Sequence, residues 1–278
     1  MNSFTSLLGQ PFIRTALIAG AIISIIAGAV GIFVVIRGMS FAVHAVSELG
    51  FTGAAAALVA GVDPVIGLLG GSLIVGGVLG ALTVRGRERD SAIGSFLAFG
   101  LGVGVLLISR YHGYATQATN LLFGSIVGVS TRQVLILGAV ALIVITALMV
   151  VYRPLLFASV DPEAAEARGV PLRAMSMILL LLVALATAEA VQVVGVLLVL
   201  TLVITPAAAA SRLTAQPSRA LVISVVIAFV STEGGILLSL VRPWQEVPTS
   251  FFVSAISFTV YVAARIGGDR IVRRPVLD

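Results

Sequence analysis

PFIRTALIAGAIISIIAGAVGIFVVIRGMSFAVHAVSELG, from Pro11 to Gly50, sets an apolar run, Ile13 to Ile36, directly before a segment that carries His44 and Glu48. The run is longer than the roughly 20 residues with which an α-helix crosses the hydrocarbon core of a bilayer. Arg14 is its only charge, and it has neither a charged leading region nor a small-residue cleavage site, so it reads as a retained span. Similar runs recur at Val65 to Val84, Gln133 to Tyr152, Leu172 to Ala188, Gly195 to Ala210, Ala220 to Leu240 and Phe251 to Ala264. Membrane strands would alternate apolar and polar residues, and these runs do not. The expectation is an all-α, polytopic membrane helical bundle.

Composition agrees. Hydrophobic residues make up 59% and charged residues 10% of the 278, and mean hydropathy is +1.16, whereas soluble domains carry roughly a quarter charged residues. Cysteine is absent, which excludes disulfides and thiolate ligands and leaves oxygen and nitrogen donors for any metal. Lysine is absent as well, so all 17 basic residues are arginine. A chain without lysine cannot hold the G-x-x-x-x-G-K-[ST] loop of an ATPase. If ATP drives this protein, another chain hydrolyses it. The arginines are scattered between apolar runs and form no basic face, so no nucleic-acid partner is expected.

Orientation follows from the arginines. Three of them in the short connection Arg85 to Ser91 place it in the cytoplasm by the positive-inside rule. Spans at about 13–36, 43–61, 64–84, 92–109, 133–152, 172–188, 193–211, 219–240 and 249–266 then leave only Arg14, Arg110, Arg132 and Arg242 outside, 13 of the 17 arginines being inside. This predicts about nine transmembrane helices, N-terminus outside and C-terminus cytoplasmic, with eight as the alternative if one segment is re-entrant. Residues 111–133 contain LLFGSIVGVS, too short to span and too apolar for an ordinary loop, which reads as a half-helix or surface helix. The whole of 1–278 reads as one membrane domain. Gly67 and Gly71, Gly76 and Gly80, and Gly100 and Gly104 stand four apart within spans, the spacing that lets helix backbones approach in lipid.

Few residues can carry chemistry. His44 and Glu48 lie one helical turn apart on one face, so an imidazole nitrogen and a carboxylate oxygen can converge on one cation. An ionisable pair inside a membrane is costly and marks an ion path by default. The competing reading is a hydrogen-bonded pair that satisfies itself between helices or reaches water. Glu233, well inside its span, needs a partner, a proton or a water-filled cavity. His112 falls on the outer side, where it meets an arriving ion or is simply solvated. Glu189, beside Gln192, reads as a solvated helix end. Glu233, His112 and Glu189 are the candidates for a secondary pathway. Pro206 should kink or break its span, shaping a gate or only packing.

The one organised cytoplasmic segment lies between Arg153 and Arg173. Asp161 can cap a helix, Pro162 suits its first turn, Glu163 complements its dipole and Gly169 fits the position just past its end. A short exposed helix at about 160–169, including Glu166 and Arg168, is a surface that an energy-supplying partner could grip.

Taken together, VVIRGMSFAVHAVSELGFTGAA, NLLFGSIVGVS, DPEAAEARGV, VVGVLLVLTLVITPAAAA and GGILLSLVRPWQEVPTSFFV, in that order along nearly the whole chain, resemble the permease subunits of ABC-type importers for zinc, manganese and iron. The resemblance implies a bacterial plasma-membrane protein that pairs with a second copy of itself around a central path. It also implies two cytoplasmic ATP-binding subunits beneath and an extracytoplasmic metal-binding protein above. DPEAAEARGV would be the coupling helix, carrying ATP-driven movement into the membrane. No cofactor would be held permanently, the divalent metal ion being the cargo, and the chain itself would not be an enzyme. Many members show an aspartate and, four residues on, a histidine, in a D-A-x-S-H pattern. Here His44 and Glu48 stand in those places, so the pair of ligand types survives in exchanged and altered form while metal preference does not carry over.

The expected mechanism is alternating access, with the ion held briefly by His44 and Glu48 from each copy. Competing readings are an ion- or proton-coupled secondary transporter using Glu48 and Glu233, an ABC importer of metal chelates, and an intramembrane metalloenzyme. The last is poorly supplied with ligands, having two histidines and no H-E-x-x-H.

Overall fold

The computed structural model describes residues 10–81, 87–110, 129–196, 199–241 and 247–272. Its helices are α1 (Pro11–Ile36), α2 (Ser40–Val59), α3 (Pro64–Ala81), α4 (Arg87–Arg110), α5 (Thr131–Val160), α6 (Pro162–Ala167), α7 (Leu172–Val194), α8 (Val199–Val203), α9 (Thr205–Leu213), α10 (Pro217–Ser239) and α11 (Thr249–Val272). Among the described residues eight of these are long and apolar enough to cross a membrane. LLFGSIVGVS lies largely outside the described residues, although its last residue, Ser130, caps α5 in a reciprocal box with Gln133.

Close glycine contacts set the directions of the helices. A Cβ on Gly20 would fall 2.8 Å from Ile236, and one on Gly28 would fall 2.7 Å from Val225 Cα, so α1 and α10 run antiparallel. Gly53 of α2 meets Gly67 and Gly71 of α3, while Gly76 meets Leu180 and Ala184 of α7 and Gly80 meets Met177. Both pairs are antiparallel, and the glycines expected to mediate packing do so. Gly100 and Gly104 of α4 lie on Leu49 and Thr52 of α2, which therefore run parallel. Backbones come this near because no side chain intervenes, the main source of helix association where lipid is as apolar as leucine.

The expected span at 193–211 is not one continuous helix. α7 continues past residue 188 to Val194 and stops at Gly195, whose φ of +89° is open to glycine. Two short helices follow, and Pro206 stands in the first turn of the second, where its missing N–H costs nothing. Arg37 bonds to Ser176, so α7 starts at the end of the bundle where α1 finishes. Val225 lies on Gly28, so α10 starts at that end too. Residues 195–213 must carry the chain back across the bundle, with Gly31 of α1 against Val203 and Ala207. Eight long helices and one broken passage thus give the described chain nine traversals. The span expected to stop at 152 runs on through Pro154 to Val160; proline removes one helical bond but does not always end the helix.

At the end shared by α1, α5 and α7 sits α6. Asp161 Oδ1 accepts from the Ala164 N–H at 3.0 Å. Pro162 opens the helix and Glu163 stands in its first turn. Gly169, at φ +81°, closes it, its N–H reaching Glu166 O while the Val170 N–H reaches Ala165 O, the paired bonds of a Schellman ending. Arg168 lies over the ring of Phe157, 5.7 Å from its centroid, which fastens α6 to α5.

Candidate functional site

His44 and Glu48 occupy the first half of α2, which begins at Ser40 and puts residues four apart on one face. His44 Nε2 lies 3.2 Å from Glu48 Oε1. The two side chains are 34% and 13% exposed, so the pair is set into the bundle with an open edge. His44 Nδ1 and Glu48 Oε2 are buried without a hydrogen-bond partner among the described residues. Each group therefore spends one polar atom on the other and keeps one unspent. Phe41, one turn earlier, stands beside the imidazole at 6.3 Å between ring centroids. Among the described residues no three His, Asp or Glu side chains converge. Two donors are fewer than the four or more that a transition metal takes, so one copy of the chain does not by itself make a complete metal site.

The other candidates do not join this pair. Glu189 departs from the expectation of a solvated helix end: it is 0% exposed, and neither carboxylate oxygen has a partner among the described residues. The reason is that α7 extends to Val194, so position 189 lies more than a turn inside the helix. Gln192 Nε2, one turn further, is likewise buried without a partner. Glu233 is half-buried, with Oε1 against the bare backbone at Gly20 of α1. His112 lies outside the described residues.

Arg37 counted in the sequence only toward orientation. In the structure it donates from Nε to Ser159 Oγ at 2.8 Å and from Nη1 to Ser176 Oγ at 3.0 Å. No sequence pattern pairs it with serines more than a hundred residues away. Beside it opens a cavity of about 900 Å³ lined by Ile36, Arg37, Ser159, Asp161, Glu163 and Ser176 among others.

An apolar bundle that has, among the described residues, eight helices long enough to cross a bilayer defines a polytopic membrane protein. The family model for the ABC 3 transport family matches residues 9–267, and the chain belongs to that family. It is thus a membrane translocation component of an ABC transporter, as the resemblance implied, and the reading of a self-sufficient secondary transporter is not favoured. The chain is 29% identical over 262 residues to the manganese transport system membrane protein MntC of Halalkalibacterium halodurans, covering 94% of this chain and 89% of that protein. It is 27% identical to the high-affinity zinc uptake system membrane protein ZnuB of Haemophilus influenzae, covering 90% of this chain and 96% of the relative. Among solved structures it resembles PsaBC from Streptococcus pneumoniae in complex with Fab, with a TM-score of 0.83, 25% identity, and coverage of 95% of this chain and 94% of that one.

Proposed function

We propose that the chain is the permease of a bacterial plasma-membrane importer for manganese or zinc, and that two copies enclose the path. Support comes from the named functions of its relatives and, above all, from the His44–Glu48 pair, which keeps one unspent donor atom on each side chain. Two such pairs facing one another offer four nitrogen and oxygen donors, enough to replace part of the ion's water shell without holding it too firmly to release. An extracytoplasmic metal-binding protein delivers the ion, and cytoplasmic ATP-binding subunits grip α6 through Asp161, Pro162, Glu163, Glu166, Arg168 and Gly169. The N-terminus lies outside and the C-terminus inside.

Movement of α6 rocks the helices between inward-open and outward-open arrangements, as in other alternating-access transporters. The broken passage at Gly195 to Leu213 supplies a joint, with Pro206 at its hinge. Glu233, half-buried in the second half of α10, is the remaining candidate for a secondary polar contact. Uptake of manganese, zinc and ferrous iron by cells expressing the complete transporter tests the site. His44→Ala and Glu48→Ala are expected to abolish accumulation of one metal while protein levels stay normal. Undiminished uptake in both variants would remove the pair from the transport path.

A further inference from the structure

We infer that Arg37 is a positioning residue that passes the movement of α6 to the helix bearing His44 and Glu48. This rests on the importer reading above. Three features of the fold carry it.

Arg37 sits at a stiff joint. Its N–H closes the end of α1 on Phe33 O, the Gly38 N–H reaches Val35 O and the Met39 N–H reaches Val34 O. Gly38 takes the left-handed conformation at φ +63° that this tight ending requires. Met39, buried at 4% exposure, then starts α2. Only three residues separate the two helices, and His44 follows seven residues after Arg37. A displacement of the guanidinium is thus delivered through a short hydrogen-bonded joint, with no slack loop to absorb it.

The partners of Arg37 flank α6 on both sides. Ser159 is in the last turn of α5, two residues before the capping Asp161. Ser176 is in the second turn of α7, just after the chain leaves Gly169. One planar fork therefore ties the end of α1 to the helix entering α6 and to the helix leaving it. The guanidinium suits this, since its donors diverge in fixed directions and bonds from a charged donor are stronger than neutral ones.

Direct packing between α6 and α1 is slight. The cavity of about 900 Å³ is lined by Asp161 and Glu163 together with Ile36, Leu79 and Gly80. Only Ala165 of α6 is buried. α6 is therefore linked to α1 through the ends of α5 and α7, and the Arg37 fork is bonded to both of those ends.

Two variants test the inference in liposomes holding the full complex with its ATP-binding subunits and metal-binding protein, with manganese as cargo. Arg37→Lys keeps the charge but replaces the planar fork by a single ammonium nitrogen, and Ser159→Ala combined with Ser176→Ala removes both acceptors while leaving Arg37 in place. Manganese imported per ATP hydrolysed should fall about tenfold in each, while ATP hydrolysis without cargo stays within about twofold of wild type. An unchanged ratio in the double serine variant, with a wild type that does transport, would overturn the role of Arg37 alone. Hydrolysis and uptake declining in step would also overturn it, since that marks a merely structural residue. Absence of ATP-driven manganese or zinc uptake in the wild type would overturn the importer reading, and the inference with it.

Discussion

Adding one methyl group at Gly53 should loosen the hairpin that carries His44 and Glu48. A Cβ there would sit 2.9 Å from Gly71 Cα and nearer still to the carbonyl oxygen of Gly67. Both obstacles are backbone, so no rotamer change relieves them, and carbon atoms are comfortable only at about 3.5–4.0 Å. α2 and α3 must therefore separate by about 1 Å, giving up close contact along their length. Overpacking of this kind costs about 1–3 kcal/mol, and at about 2–4 °C per kcal/mol for chains of this general size the midpoint of thermal unfolding should drop by roughly 2–12 °C. Gly77→Ala on α3 is the control, because a Cβ there meets nothing within 4 Å. Thermal unfolding of the two purified variants in detergent, followed by circular dichroism, makes the comparison. Metal uptake by Gly53→Ala should fall as well, since α2 carries His44 and Glu48. Equal midpoints for Gly53→Ala and wild type, or an equal loss in Gly77→Ala, would refute the claim that bare-backbone contact holds this hairpin.

Asp161→Ala should reduce copurification of the ATP-binding subunit by about fivefold, the equivalent of roughly 1 kcal/mol for a lost N-cap, whereas Asp161→Asn, which can still cap, should retain it. Equal losses in both would show that the carboxylate acts by its charge. Glu189→Leu removes a carboxyl group whose two oxygens are buried without partners. Because such burial costs about 1–3 kcal/mol, the unfolding midpoint should rise by several degrees, and a fall would show that the carboxyl group stabilises the bundle.

Much of this molecule was legible one helical turn at a time. Length and hydropathy identified the spans because a lone helix in lipid must satisfy its own backbone and present apolar side chains whatever its neighbours are. The ends of α6 were readable for the same reason, as Asp161 and Gly169 act on groups within four residues of themselves. The His44–Glu48 pair needed only the pitch of a helix. Nothing local, in contrast, distinguishes a glutamate at a wet helix end from one sealed inside a bundle, and Glu189 is sealed because α7 continues and its neighbours close around it. The return of the chain through Gly195 to Leu213 was likewise decided by the places that α1, α7 and α10 take relative to one another. Arg37 is the clearest case. Its acceptors lie 122 and 139 residues further along the chain, and only the packing of three helix ends brings them within reach of one guanidinium.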